Sequence, residues 1–178
     1  MNIALETKRL YLKPFELRDS IHLYEMNEDP EVIRYTGDPP FSSPQQAEKL
    51  IREYDQYKKY HMGRLGVFLK ETNAFLGWCG LKYHAEEKLV DVGYRFYRKY
   101  WGYGYATESS KASIAFGFDR LHLERIYAHA HIDNKASLKV LEKCGLHYVK
   151  SVIYDTLPVK LFCITKKDYY QQLKEPES

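Results

Sequence analysis

Apolar and polar positions alternate in "RLYLKPF", where Leu10 and Leu12 share one face against Tyr11 and Lys13, so a short strand ending near Pro14 is expected first. The period then becomes helical. Leu17, Ile21 and Tyr24 in "ELRDSIHLYEMNED" fall on one face of a helix that stops before Pro30. "SSPQQAEKLIREYDQYKKY" reads as a second helix, with Ser43 as N-cap, Pro44 at the first helical position and an apolar stripe of Ala47, Leu50, Ile51 and Tyr54. "LGVFLK", "AFLGWCGLKY" and "KLVDVGYRFY" are rich in β-branched and aromatic residues and are parted by turn-like "ETN" and "HAEE", which predicts three antiparallel strands. A helix over "TESSKASIAFGFDRL" follows, then a strand over "RIYAHAHI". "NKASLKVLEKCG" is a helix with Asn134 as N-cap and Gly145 as C-terminal stop, and "HYVKSVIY" and "VKLFCIT" are the closing strands. The order β-α-α-β-β-β-α-β-α-β-β implies a mixed α/β (α+β) fold: a largely antiparallel, twisted sheet of about seven strands flanked by about four helices.

The 178 residues contain no repeat, low-complexity tract or linker, so residues 1–178 are expected to form one domain. A hydrophobic share of 44% against 29% charged residues is that of a globular chain with a sizeable core. Seventeen tyrosines suit strand faces and core edges as readily as a pocket lining. The net charge of +3 is too small to point to nucleic acid and tolerates an anionic ligand. Cys79, Cys144 and Cys163 are odd in number and far apart, which argues against a disulfide framework or a metal site and suits a reducing cytosol. The first residues lack the apolar stretch of a signal peptide, and no run reaches the length of a membrane span. A cytoplasmic protein without membrane contact is expected, and a homodimer stays open.

Chemistry concentrates in "YWGYGYATE", Tyr100 to Glu108. A strand ending near Tyr97, a turn with Gly102 and Gly104, and a helix starting near Ala106 place unpaired helix N–H groups where phosphate oxygens can reach them without meeting a Cβ. A P-loop is excluded, because Tyr105 and Ala106 follow Gly104 instead of Lys-Ser/Thr. A dinucleotide fingerprint is excluded by Thr107 in place of a third small residue.

"WGYGYA" resembles the coenzyme A loop of the GNAT superfamily of N-acetyltransferases, Gln/Arg-x-x-Gly-x-Gly/Ala, with Trp101 in the place of Gln/Arg. The wider "VGYRFYRKYWGYGYATES" is similar to the RimJ/RimL branch, as are "HIDNKASLKVLEKCGL" and the opening "ETKRLYLKPFELRDSIHLYEMNEDPEVIRY". The resemblance spans nearly the whole chain. It implies an acetyl-CoA-dependent N-acetyltransferase that acts on a primary amine, a protein N-terminus or a small molecule, by direct transfer in a ternary complex. A non-catalytic acyl-CoA-binding or sensor module on the same fold is the alternative.

The same resemblance implies site residues. Backbone N–H groups of Trp101, Gly102, Tyr103, Gly104, Tyr105, Ala106 and Thr107 would bind the pyrophosphate. The strand end Tyr94, Arg95 and Phe96 would splay to receive the pantetheine arm, with one N–H polarising the thioester carbonyl. Asn134 would lie beside the pantetheine or adenylate-linked arm, and Ser137, one helical turn on, would contact the coenzyme and protonate the leaving thiolate. Many superfamily members carry a tyrosine acid where Leu141 stands, which favours the serine. For the general base, Asp91 is the first candidate, on one strand face with Gly93 and Arg95, and His129 and His131 are further candidates. Glu108 is expected to serve the helix dipole, and Arg98, Lys99 and Lys111 to reach phosphates or be solvated. Acceptor contacts are expected from "RYTGDPPFSSPQQ" and the last strands.

Overall fold

The computed structural model describes residues 3–175. In chain order the elements are β1 (Leu5–Glu6), β2 (Leu10–Lys13), α1 (Ser20–Glu28), α2 (Pro30–Ile33), α3 (Pro44–Glu53), α4 (Gln56–Tyr60), β3 (Arg64–Leu69), β4 (Phe75–His84), β5 (Leu89–Phe96), α5 (Tyr105–Asp119), β6 (Arg125–His131), α6 (Lys135–Lys143), β7 (His147–Tyr154), β8 (Leu157–Thr165) and α7 (Lys166–Gln172). One eight-stranded sheet runs β1-β2-β3-β4-β5-β6-β8-β7, and every neighbouring pair is antiparallel except β5 and β6. The mixed, largely antiparallel α/β architecture is thus the one the hydrophobic pattern implies. Two-residue β1 and the short α2, α4 and α7 were not foreseen, since such short pieces carry no full period.

The sheet buries both faces. Ile114 and Phe118 of α5 pack with Leu81, Val92, Ile126 and Ala128 on one side, together with Leu138 and Leu141 of α6. Leu23 and Met26 of α1 and Ala47 of α3 cover Phe68 and Phe75 on the other. The stripe expected for α1 is one face out of phase. Leu17 and Ile21 are exposed, while Ser20, Leu23, Met26 and Asn27 are buried. The cause is local: Leu17 lies in a 3-10 turn closed by a reciprocal Glu16–Asp19 capping box, which shifts the phase on entering the helix.

Ser43 caps α3 with its hydroxyl accepting from the Gln46 N–H, and Pro44 follows at its first position. The single long helix expected there is broken at Tyr54, whose ψ of 104° is extended, and Leu50 faces solvent. The break aims two tyrosines at β3. The Arg64 N–H donates to Tyr54 Oη at 2.8 Å, and Tyr57 Oη donates to the Arg64 carbonyl.

Gly145 ends α6 with φ +83°, and the Gln172 amide of α7 donates to its carbonyl at 3.0 Å. A Cβ there would lie 2.0 Å from Gln172 Oε1. Gly145→Ala is therefore expected to cost about 1–2 kcal/mol from the left-handed backbone alone. A melting temperature lowered by roughly 2–8 °C in a thermal scan is the check.

Candidate active site

Strand β5 pairs with β4 along its whole length but meets β6 at a single register point, Asp91 opposite Tyr127. Beyond that point the two parallel strands part. The backbone direction follows from two contacts on the β4 side. The Tyr97 N–H donates to the Leu76 carbonyl at 3.0 Å, and the Arg95 carbonyl lies where a Cβ on Gly77 would come within 2.1 Å. Alternation then turns the N–H and C=O groups of Tyr94 and Phe96 into the gap. Trp101 Nε1 donates to the Phe96 carbonyl at 3.0 Å, which leaves both N–H groups and the Tyr94 carbonyl along the opening. Arg95, expected on the same arm, turns its backbone to β4 instead.

After the gap comes a 3-10 turn, Arg98–Tyr100, then a loop with Gly102 at φ +82° and Gly104 at φ +79°. Gly104 is the N-cap of the 15-residue α5, and no side chain caps it. Left-handed backbone at two alternate positions is cheap only for glycine, and an N-cap without a side chain leaves first-turn N–H groups free for an anion. Trp101 and Tyr103 are exposed at the rim, and the Tyr103 ring stacks on Tyr105 with centroids 5.7 Å apart.

A clamp from the turn between β1 and β2 holds this loop. Arg9 donates from Nε to Glu108 Oε2 at 2.7 Å and from its guanidinium to the Tyr103 carbonyl at 2.8 Å. Glu108 Oε1 accepts from the Thr7 hydroxyl at 2.6 Å and from the Arg9 N–H at 2.9 Å. Burial would raise the Glu108 pKa, but these donors outweigh it and hold the carboxyl below its usual range. Glu108 is therefore a tether between the first strands and α5, beyond any service to the helix dipole. "Thr-x-Arg" and "Ala-Thr-Glu" were both visible in the sequence, yet the contact between residues about a hundred positions apart was not.

Across the gap, Asn134 caps α6 by accepting from the Ser137 N–H at 3.2 Å. Ser137 Oγ lies 2.7 Å from Tyr94 Oη, which joins β5 to α6 through two hydroxyls. Burial pushes the Tyr94 phenol pKa well up, and the Ser137 hydrogen bond offsets only part of that rise, so the phenol keeps its proton. Leu141 is buried in the core.

The opposite face of the same strands is polar. Asp91 is buried, with Arg64 Nη2 donating to its Oδ1 at 2.8 Å and His84 Nε2 3.2 Å away. Burial would raise its pKa, but the Arg64 guanidinium and His84 prevail and lower it to about 2. A carboxylate held so low is a weak proton acceptor, so this placement is that of a group organising charge and speaks against the base role expected for Asp91. Arg95 reaches Asn27 Oδ1 and Asp38 Oδ2, both at 2.7 Å, and so latches the loop after α2 over this face. Trp78 lies between the two guanidinium groups, 5.6 Å from Arg64 and 5.4 Å from Arg95. Tyr35 of the same loop packs on His131, with ring centroids 5.0 Å apart.

The sequence pattern of the acetyltransferase (GNAT) domain family matches residues 9–147, which contain the gap, the glycine loop and both capped and uncapped helix starts. The chain is a GNAT-family N-acetyltransferase. The N-acetyltransferase p20 of Bacillus licheniformis is 32% identical over 177 residues, covering 93% of this chain and 98% of that one. A GNAT-family acetyltransferase from Bacillus anthracis superposes with a TM-score of 0.81 at 22% identity, over 93% of this chain and 99% of that one. Spermidine N-acetyltransferase from Vibrio cholerae, solved with CoA and spermine, gives a TM-score of 0.79 at 18% identity over 92% and 99%. At those identities the two structures speak for the fold.

In this GNAT enzyme all three thiols are poor nucleophiles. Burial pushes Cys144 up to about 12 and raises Cys79 and Cys163 as well. Cys144 Sγ instead lies 3.7 Å from the Thr107 carbonyl, at the back of the loop. Of the cations expected near phosphates, Arg98 pairs with Asp29 at 3.1 Å and Lys99 lies over the Tyr97 and Tyr100 rings.

The lowered Asp91 pKa predicts a pH-dependent stability. Its contribution is complete above the unfolded pKa near 4 and is lost as pH falls through about 2. Urea unfolding between pH 6 and pH 2 should show a loss of about 2 kcal/mol from this group, and Asp91→Asn should lack that step.

Proposed function

We propose that this enzyme transfers the acetyl group of acetyl-CoA directly to a primary amine in a ternary complex, in the manner of the RimJ/RimL branch that its motifs resemble. The observation that carries the reading is the hydroxyl pair of Ser137 and Tyr94, 2.7 Å apart, which ties β5 to the start of α6 beside the point where β5 and β6 part.

Backbone N–H groups from Trp101 to Thr107 would hold the pyrophosphate at the uncapped start of α5. The N–H groups of Tyr94 and Phe96 would pair with the pantetheine arm, and one would polarise the thioester carbonyl. Asn134 keeps its amide nitrogen for the same arm while its oxygen caps α6. In the transfer the amine nitrogen bonds to the carbonyl carbon and gives up its surplus proton to water, the C–S bond breaks, and the sulfur takes a proton from Ser137 Oγ, which water then reprotonates. Tyr94, which keeps its proton, can donate a hydrogen bond to the Ser137 oxygen as that oxygen gives up its own. The raised thiol pKa values disfavour a covalent acetyl-enzyme.

The acceptor would arrive from the face of Arg95, Asp91 and the loop after α2, either as a protein N-terminus or as a small-molecule amine. The reading takes residues 1–178 as one domain acting in the cytoplasm.

Thermal unfolding with acetyl-CoA, NAD or ATP tests the coenzyme. A ligand at about a hundred times its Kd adds about 2.7 kcal/mol, a shift of roughly 5–11 °C at this size. Acetyl-CoA alone should produce it; a larger shift with NAD contradicts the assignment. Thiol release that requires an added amine separates a transferase from an acyl-CoA sensor. Ser137→Ala is expected to lower kcat by about 10²-fold and leave acetyl-CoA affinity nearly unchanged by calorimetry. Equal losses in both would make Ser137 a binding residue only.

A further inference from the structure

An ammonium acceptor has to lose a proton before its nitrogen can attack, and Asp91 is committed to Arg64 and His84. Two other carboxylates near this face are engaged as well. Asp38 pairs with Arg95, and Glu25 accepts from the Tyr97 hydroxyl at 2.5 Å. His131 Nδ1 accepts from the Asp133 N–H at 3.1 Å, and its ring lies against Tyr35.

His129 differs from all of these. Tyr127 stands opposite Asp91 at the last point where β5 and β6 pair, and His129 lies two residues on, where the gap opens. Alternation puts it on the same face as Tyr127, Asp91 and Gly93, the face opposite the buried Ala128 and Ala130. Gly93, the corresponding residue of β5, has no side chain of its own, and the Arg64 guanidinium lies over it, 2.8 Å from where its Cβ would stand. The residue keeps an open side to solvent, and among the described residues neither ring nitrogen takes a hydrogen bond, while the Tyr154 ring of β7 encloses the imidazole on the other side with centroids 4.7 Å apart.

We infer that His129 is the general base, taking the proton from the acceptor ammonium at the mouth of the gap. The inference rests on the amine-transferase reading above. The N–H bond of the ammonium breaks, its proton goes to an imidazole nitrogen, and the freed lone pair attacks the thioester. The groups facing His129 are Asp91 of β5, Arg64 of β3, His84 of β4, Tyr154 of β7 and Asp155 in the β7–β8 turn. Desolvation by these neighbours is the main influence and lowers the His129 pKa below 6.5; Arg64 and His84 lower it further, while Asp91 and Asp155 oppose. The ring is therefore neutral and able to accept a proton at pH 7.

Initial rates with acetyl-CoA and either spermidine or an alanine-initiated peptide, measured from pH 5 to pH 9, test this. For the wild type, kcat/KM should fall on the acid side with a midpoint below 6.5. His129→Gln should lose about 10²-fold or more in kcat/KM and lose that acid limb, with acetyl-CoA affinity unchanged. Added imidazole should partly restore His129→Ala. An unchanged rate and pH profile in His129→Gln overturns the assignment alone. A wild type that binds acetyl-CoA but shows no amine-dependent turnover with either acceptor overturns the transferase reading, and the base with it.

Discussion

The pairing of β5 with β6 through one register point is the constraint on which the rest of the site depends. Parallel strands that continued in register would satisfy each other's backbone and leave a closed sheet. Here the Tyr94 and Phe96 groups face a gap, and buried backbone donors without partners carry a cost that a strand-like ligand can remove. The sheet tolerates the gap because β5 is fully paired with β4 on its other side, because the Tyr94–Ser137 hydroxyl pair ties β5 to α6, and because the Trp101 indole satisfies the Phe96 carbonyl.

Two supports hold the edges of that opening. On one side, Arg9 and Thr7 anchor Glu108 and the Tyr103 carbonyl, so the turn between the first two strands sets the glycine loop at the start of α5. On the other, Tyr54 and Tyr57 fix the backbone of Arg64, and its guanidinium in turn fixes Asp91 at the last paired residue. Arg95 works on the same face, latching the loop after α2 to the strand that lines the gap. In the proposed reading a coenzyme side and an acceptor side meet at one strand, with opposite faces and alternate residues given to each.

What was legible in the sequence was what depends on local chemistry. Ser43, Asn134, Gly104 and Gly145 sit at the helix ends where their residue types belong, and the alternation of Leu10 and Leu12 marks a buried strand face. Leu17 and Ile21 misled because a capping box, invisible to a simple period, rotated the helix behind it. The break at Tyr54 was missed because its cause lies in β3, where the two tyrosine hydroxyls find their partners. Asp91 was placed on the right face, but no spacing rule reveals that Arg64, 27 residues earlier, would claim its carboxylate. Arg95 was read with Tyr94 and Phe96 as one segment, although a strand sends adjacent residues to opposite sides.

The most direct test of the account is a titration of the isotope-labelled protein with CoA, read at assigned backbone amides. The account predicts the largest shifts at the N–H groups of Tyr94, Phe96 and the loop from Gly102 to Thr107, with Arg95 and the β4-facing amides nearly still. Shifts confined to another surface, or none at Tyr94 and Phe96 with CoA bound, would contradict the claim that the parted strands are the coenzyme's seat.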